Sequence, residues 1–168
     1  MKIRSFFLFL LLLCPSLSYT QKVESLHSIR LGYPDITYSY EHALRKQFSI
    51  NMEAGVTWGW QYSNHNTTLT FSPIFLLEPR CYYNVNKRFN DKRFINNSAS
   101  FFCVTTSFHS AIFHEYRRSY LSVIPKWGFR RAMGNHFLFE TQIGGGIQFN
   151  HGSSEFIPGL DIKFGYVF

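Results

Sequence analysis

Four residues in one short segment are of the types that catalyse hydrolysis. His109, Ser110, His114 and Glu115 supply imidazole, hydroxyl and carboxylate groups, which are the components of an acyl-transfer triad. A lipid-A deacylase would use this chemistry, but the His-x-Ser-Asn pattern of those enzymes is absent. We therefore interpret the four residues as part of a solvated loop, assign no catalytic residue, and keep a lipid-modifying enzyme as a lesser hypothesis.

Other ligand-binding chemistry lacks the spacing it requires. Seven histidines are present, but no pair has convincing ligand spacing together with a third ligand. Gly144, Gly145 and Gly146 resemble a phosphate-binding loop, yet no helix follows them, so a bend within a strand is the better interpretation. We expect neither a metal nor a cofactor.

Two cysteines are placed symmetrically about one turn. Cys81 and Cys103 are equally distant from Lys92, so a symmetric hairpin would set them opposite each other on neighbouring strands. An exported compartment permits a disulfide, and a directly opposed pair brings the Cβ atoms close enough to form one. The alternative is a pair of free thiols that face lipid.

The elements that position these residues are strands of alternating polarity. From Gln47 to Tyr62 every second residue is apolar, which is the period of a strand. The length suits a tilted membrane crossing of about 9 to 11 residues. The same alternation recurs less regularly, with Ile74 and Leu76 as exceptions, and no segment favours a helix. The other predicted strands are Thr68–Val85, Ser98–Ile112, Tyr120–Arg131, Phe137–Phe149 and Phe156–Phe168.

An even strand number requires two further strands near the start of the chain. An antiparallel barrel with both termini on one side needs an even count. Ile36–Leu44 supplies a seventh strand and Leu26–Tyr33 an eighth, with a tight turn at Pro34 and Asp35. One long strand through Pro34 is the competing interpretation.

The charged residues fall on the polar face of the strands. A soluble lipocalin-like barrel would place this face outside, whereas a membrane barrel places it inside. Because lipid burial would cost several kcal/mol for each charge, we predict an all-β, closed antiparallel up-and-down transmembrane barrel of eight strands. Its predicted interior network comprises Glu53, Glu140, Asp161, Lys163, Lys126 and Arg130.

Residues 1–20 have the pattern of a signal peptide. Lys2 and Arg4 precede the apolar run Phe6–Leu13, which is too short for a membrane helix of roughly 20 residues. Lipidation of Cys14 is disfavoured by Leu13 and Pro15. Residues 21–168 then form one domain, exported to the outer membrane of a Gram-negative bacterium.

The charge favours lipid over nucleic acid as a partner. The formal charge is +7, or about +5 without Lys2 and Arg4, and no basic helix accompanies it. We expect contacts with outer-membrane lipids and lipopolysaccharide, no nucleic acid, and a monomer. Basic residues at Arg45–Lys46, 87–93 and Arg130–Arg131 are predicted at periplasmic turns, as solvated charge or as a docking surface for a periplasmic partner.

The last predicted strand alternates through Phe164 and Tyr166 to Phe168. This pattern resembles the signal that outer-membrane assembly machinery recognises. The segments Phe48–Gly55, Glu78–Arg88 and Asn97–Phe101 resemble small, mostly uncharacterised outer-membrane β-barrel proteins of Bacteroidetes. The resemblance implies a barrel and a location but no ligand. We expect a non-enzymatic barrel with a structural or surface-interaction role, with a narrow solute pore as the alternative.

Overall fold

The chain forms one closed antiparallel β-barrel of eight strands in sequence order. The computed structural model describes residues 23–63, 66–90, 94–110, 119–150 and 153–168. The all-β, up-and-down, eight-stranded prediction is confirmed, whereas the predicted signal peptide and Cys14 lie outside the described residues. The strands are β1 (Leu26–Gly32), β2 (Asp35–Ala43), β3 (Phe48–Ser63), β4 (Asn66–Tyr82), β5 (Ser100–His109), β6 (Tyr120–Met133), β7 (Phe137–Asn150) and β8 (Ser153–Val167), with one helix, α1 (Val85–Asn90).

The first hairpin exists as predicted. β1 pairs with β2 from Leu26↔Glu41 to Leu31↔Ile36, with Pro34 in the turn between them, so the interpretation as one long strand was wrong. β8 pairs with β1 between Ser28↔Val167 and Gly32↔Lys163, which closes the barrel.

The barrel wall has an apolar outside and a polar inside. On β3, Phe48, Met52 and Val56 are 41–47% exposed, whereas the intervening Asn51 and Glu53 are at most 3% exposed. Because successive side chains of a strand point to opposite faces, the alternation seen in the sequence becomes a separation of outside from inside. Glu53, one of the charged residues of the predicted interior network, lies on the inside.

The two ends of the barrel differ in height. We call the end that holds Leu26 and Val167 proximal and the opposite end distal. At the distal end β2 pairs with β3 only as far as Asp35↔Thr57, although β3 continues to Ser63. β8 begins at Ser153 but pairs with β1 only from Lys163. The short β1–β2 hairpin therefore leaves a gap in the wall between the distal parts of β3 and β8, which we call the notch.

The proximal end is closed by the β4–β5 connection. The sequence predicted no helix, and this was wrong: α1 lies in this connection. Val85 and Ala99 pack in a fully buried cluster with Val23 and Phe101. Asn97 ties the N-terminal segment to this connection, since its side chain accepts from Glu24 N at 2.8 Å and donates to Glu24 O at 2.7 Å. Isolated apolar residues in a polar segment have no period, so the sequence pattern missed this closure.

Close strand approach requires glycine on the inner face of β7. A Cβ on Gly144 would lie 2.1 Å from the carbonyl oxygen of Pro125, whereas one on Gly165 would make only ordinary contacts of 3.5–3.6 Å. Gly144→Ala should therefore lower the free energy of unfolding by about 2 kcal/mol. Gly165→Ala, the matched control, should change it by less than about 0.5 kcal/mol. Urea unfolding of the refolded barrel measures both, and equal effects would contradict this account of the close strand approach.

Candidate functional site

The middle of the barrel holds an ion-pair network centred on Glu140. Arg80 donates to both oxygens of Glu140, at 2.9 and 3.1 Å, and Arg130 Nε donates to it at 2.7 Å. Arg80 and Arg130 are at most 1% exposed. Since ionised groups out of water require paired charges and hydrogen bonds, these three side chains hold one another in place.

A second part of the network surrounds Glu53. Arg30 Nη1 donates to Glu53 Oε1 at 2.7 Å, and Lys163 Nζ donates to Oε2 at 2.8 Å. The Thr37 hydroxyl also donates to Oε2 at 2.8 Å. Arg30 lies 3.4 Å from Glu140 as well, so the two parts form one connected set of charges.

The sequence prediction missed four members of this network, which are Arg30, Glu41, Glu78 and Arg80. Arg80 donates to Glu78, and Arg130 Nη1 donates to Glu41 Oε2 at 2.6 Å. All four share the inward parity of their strands, so strand alternation contained the signal; β1 and β2 were too short to display it clearly, and Glu78 and Arg80 were recognised only as polar positions.

The structure places the six residues of the predicted interior network inside the barrel in two groups. Glu53, Lys163, Glu140 and Arg130 lie in the connected set above. Lys126 Nζ donates to Asp161 Oδ2 at 2.5 Å, and Asp161 is the only one of the six with a side chain as much as 30% exposed. Arg130 had also been predicted as a solvated charge at a periplasmic turn, and this was wrong, because it is fully buried inside the barrel.

The predicted disulfide is not formed. Cys81 pairs in register with Phe102, and Cys103 pairs with Arg80, so the two cysteines are one position out of register. A shift of one residue sends side chains to opposite faces: Cys103 is buried inside, whereas Cys81 points outward and is half-buried. The alternative of two lipid-facing thiols was also wrong for Cys103. The helical connection breaks the symmetric hairpin on which both expectations rested.

The candidate catalytic residues are only partly described. His109 faces inward at the end of β5, where its ring stacks on Tyr120 at 4.3 Å. Ser110 donates its backbone N–H to Pro73 O at 3.0 Å. His114 and Glu115 lie outside the described residues. Within the described ranges, no three histidine, cysteine or acidic side chains are grouped so that they could hold a metal ion.

A cavity of about 330 Å³ lies on the distal side of the charge network. Its polar lining includes Asp35, Lys126 and Asp161, and the hairpin residues Tyr33 and Pro34 form its edge at the notch. Its apolar lining includes Ile74 and Leu76, the two residues that break the alternation of β4. Inward apolar residues therefore mark the place where the charged interior ends and the cavity begins.

No family model, curated protein or solved structure matches this chain. In the part of the chain that the structure describes, no helix has the length and apolar character needed to cross a membrane. The proposed function therefore rests on the arrangement of the side chains. The barrel offers an apolar outer surface, an interior occupied by ion pairs, and one distal cavity with a lateral opening.

Proposed function

We propose that the protein is an integral outer-membrane β-barrel of a Gram-negative bacterium, closed to solutes, with a structural or surface-interaction role. The observation that carries this proposal is the inverted wall of the barrel. Large apolar side chains cover the outside, among them Leu160 at 67% and Ile143 at 58% exposure, while the charged groups are buried inside. A soluble protein rarely exposes so continuous an apolar surface, whereas a lipid phase requires it.

Aromatic side chains at both ends support membrane insertion. At the distal end Trp60 and Phe156 are 66% and 75% exposed on the outer face. Near the proximal end Phe137 and Tyr166 are 56% and 45% exposed on the outer face, and their ring centroids lie 5.4 Å apart. Aromatic residues with polar groups favour the boundary between lipid and water, where transmembrane barrels carry two such girdles.

The sequence features of export agree with this location. The predicted signal peptide supplies a route across the inner membrane, and the alternating residues Phe164, Tyr166 and Phe168 supply the assembly signal. Phe168 is 62% exposed, and its backbone N–H donates to His27 O at 3.2 Å, so the chain end extends the seam between β8 and β1. Lipids, lipopolysaccharide and the assembly machinery are the partners of this proposal.

The ion-pair network predicts a barrel that does not conduct. Arg80, Arg130 and Glu140 are fully or almost fully buried across its interior, so an ion would have to displace charges that are already paired. Planar bilayers that contain the purified protein should show no steady single-channel currents in 1 M KCl, conditions in which a general porin reports robust conductance as the positive control. Reproducible unitary currents at moderate voltage would instead favour the narrow pore.

A further inference from the structure

The charges inside the barrel do not balance. The two lysines near the cavity are each paired with a carboxylate other than Asp35: Lys163 with Glu53 at 2.8 Å, and Lys126 with Asp161 at 2.5 Å. Among the described strand residues whose inward-facing side chains are buried or half-buried, the excess is one negative charge, and it falls on Asp35. The six carboxylates are Asp35, Glu41, Glu53, Glu78, Glu140 and Asp161, and the five cations are Arg30, Arg80, Lys126, Arg130 and Lys163.

Asp35 is also the acceptor that lacks a donor. It is 8% exposed and lines the cavity. Its Oδ1 atom has no hydrogen-bond partner among the described residues, and the nearest cation, Lys163 Nζ, lies 3.8 Å away. A buried acceptor without a donor costs about 1–3 kcal/mol, and more when it is charged. A ligand that brings a positive donor would remove this cost.

Space is kept open beside this carboxylate. A Cβ on Gly32 would lie 2.9 Å from Asp35 Oδ1, and one on Gly159 would lie 3.0 Å from Lys126 Cε. Both glycines face the interior, so side chains at these two positions would occupy room next to the charged lining. The cavity of about 330 Å³ falls within the usual size range of small-molecule sites.

The rest of the cavity lining is largely apolar and extends toward the notch. Ile124, Ile157 and Leu160 line the cavity together with Pro34 and Pro158. Leu160 lies on the part of β8 that has no partner on its β1 side, which is one edge of the notch. The cavity is thus polar at its inner end and apolar toward an opening in the wall, which matches a molecule with a charged head and an apolar tail.

We propose that the distal cavity binds a small amphiphile with a protonated amine head group. The ammonium donates to Asp35 Oδ1 and balances its charge, while the tail leaves through the notch between β3 and β8 along Ile157 and Leu160. This inference rests on the proposed function, since the tail needs lipid or detergent outside the barrel. Hydrogen bonds between charged partners are about twice as strong as neutral ones, so the amine should be preferred over an alcohol of equal length.

The test is calorimetric titration of the full mature protein in non-ionic detergent micelles with dodecylammonium, dodecanol and dodecyl sulfate. Dodecylammonium should saturate at one molecule per barrel and bind at least about tenfold more tightly than either of the others. Asp35→Asn should weaken amine binding at least about tenfold. Glu155→Gln, which removes an exposed carboxylate of β8 that does not line the cavity, is the matched control and should leave it within about twofold.

A second variant keeps the proposal testable if the Asp35→Asn protein does not fold. Asp161→Asn frees Lys126 to pair with Asp35, so it should also weaken amine binding without altering Asp35 itself. Heat-modifiable migration on gels checks that each protein is folded. A folded barrel that binds all three amphiphiles alike, or that keeps its amine affinity in Asp161→Asn, overturns this inference and leaves the proposed function standing. A wild-type chain that forms no barrel in micelles overturns the proposed function instead.

Discussion

Glu140→Gln should lower the free energy of unfolding of the barrel by about 3–5 kcal/mol, because it removes one partner of a buried ion-pair network. Glu140 accepts from Arg80 and Arg130 at 2.7–3.1 Å, and Gln142 Nε2 donates to it at 2.9 Å. Glutamine keeps the shape of the side chain but provides neither the charge nor the second acceptor oxygen. Arg80 and Arg130 would each keep one carboxylate, Glu78 and Glu41, but would lose the carboxylate that they share. Urea unfolding in micelles, followed by tryptophan fluorescence, measures the loss.

The same substitution at Glu155 separates this effect from a general loss of charge. Glu155 is exposed, and its one described bond is a 3.4 Å contact from Gln148 Nε2. Glu155→Gln should change the free energy of unfolding by less than about 0.5 kcal/mol, as is usual for surface substitutions. If Glu140→Gln were as mild as this control, the interior network would not hold the barrel together.

Ile143→Arg should lower the free energy of unfolding by about 2–4 kcal/mol in phospholipid bilayers, because it places a charge near mid-depth on the face that we propose contacts lipid. Ile143 is 58% exposed on the outer wall and pairs with Trp127 and Leu160 near the middle of β7. Because Ile143 is so exposed, arginine would cost almost nothing at this position if the wall faced water. Equilibrium unfolding from vesicles by guanidinium measures the change.

The matched control for Ile143→Arg is the same change at a position near the end of the barrel wall. Phe156 is 75% exposed at the distal end of the neighbouring strand β8, where an arginine would reach the proposed boundary between lipid and water. Phe156→Arg should cost about 0–1 kcal/mol. Equal costs at the two positions, or no cost at either, would argue against a lipid environment around the wall.

Strand alternation predicted most of the architecture. The period of two in β3, β7 and β8 carried enough residues to define both the strands and their faces, and the interior positions of Glu53, Lys163 and Glu140 followed from it. The requirement for an even strand number supplied the β1–β2 hairpin, which is too short to be recognised from its own pattern. Periodicity and closure are properties of whole strands, so they are visible in a single sequence.

Register and irregular segments were not predictable in the same way. The relative position of Cys81 and Cys103 depends on how the β4–β5 connection folds, and a helix with isolated apolar contacts has no repeating signal. Arg80 was assigned to the polar face of β4, but its pairing with Glu140 on β7 crosses the barrel interior. Such contacts depend on strand order and stagger together, which the sequence did not provide.

The distal cavity had a signal that was visible but was not interpreted. Ile74 and Leu76 interrupt the alternation of β4, and the structure shows them facing inward along the cavity wall. In a barrel with a charged interior, apolar residues at inward positions mark a space that ion pairs do not fill. Asp35 gave no such signal, because a carboxylate in a predicted tight turn does not indicate that its oxygen will be buried without a donor.

The central claim is that the apolar wall lies in an outer membrane, and fractionation of the full chain expressed in a Gram-negative host tests it most directly. The mature protein should sediment with outer membranes, resist extraction by salt, dissolve in detergent, and migrate faster on gels before heating than after. Recovery of the folded, processed protein from the soluble periplasmic fraction without detergent would contradict the account.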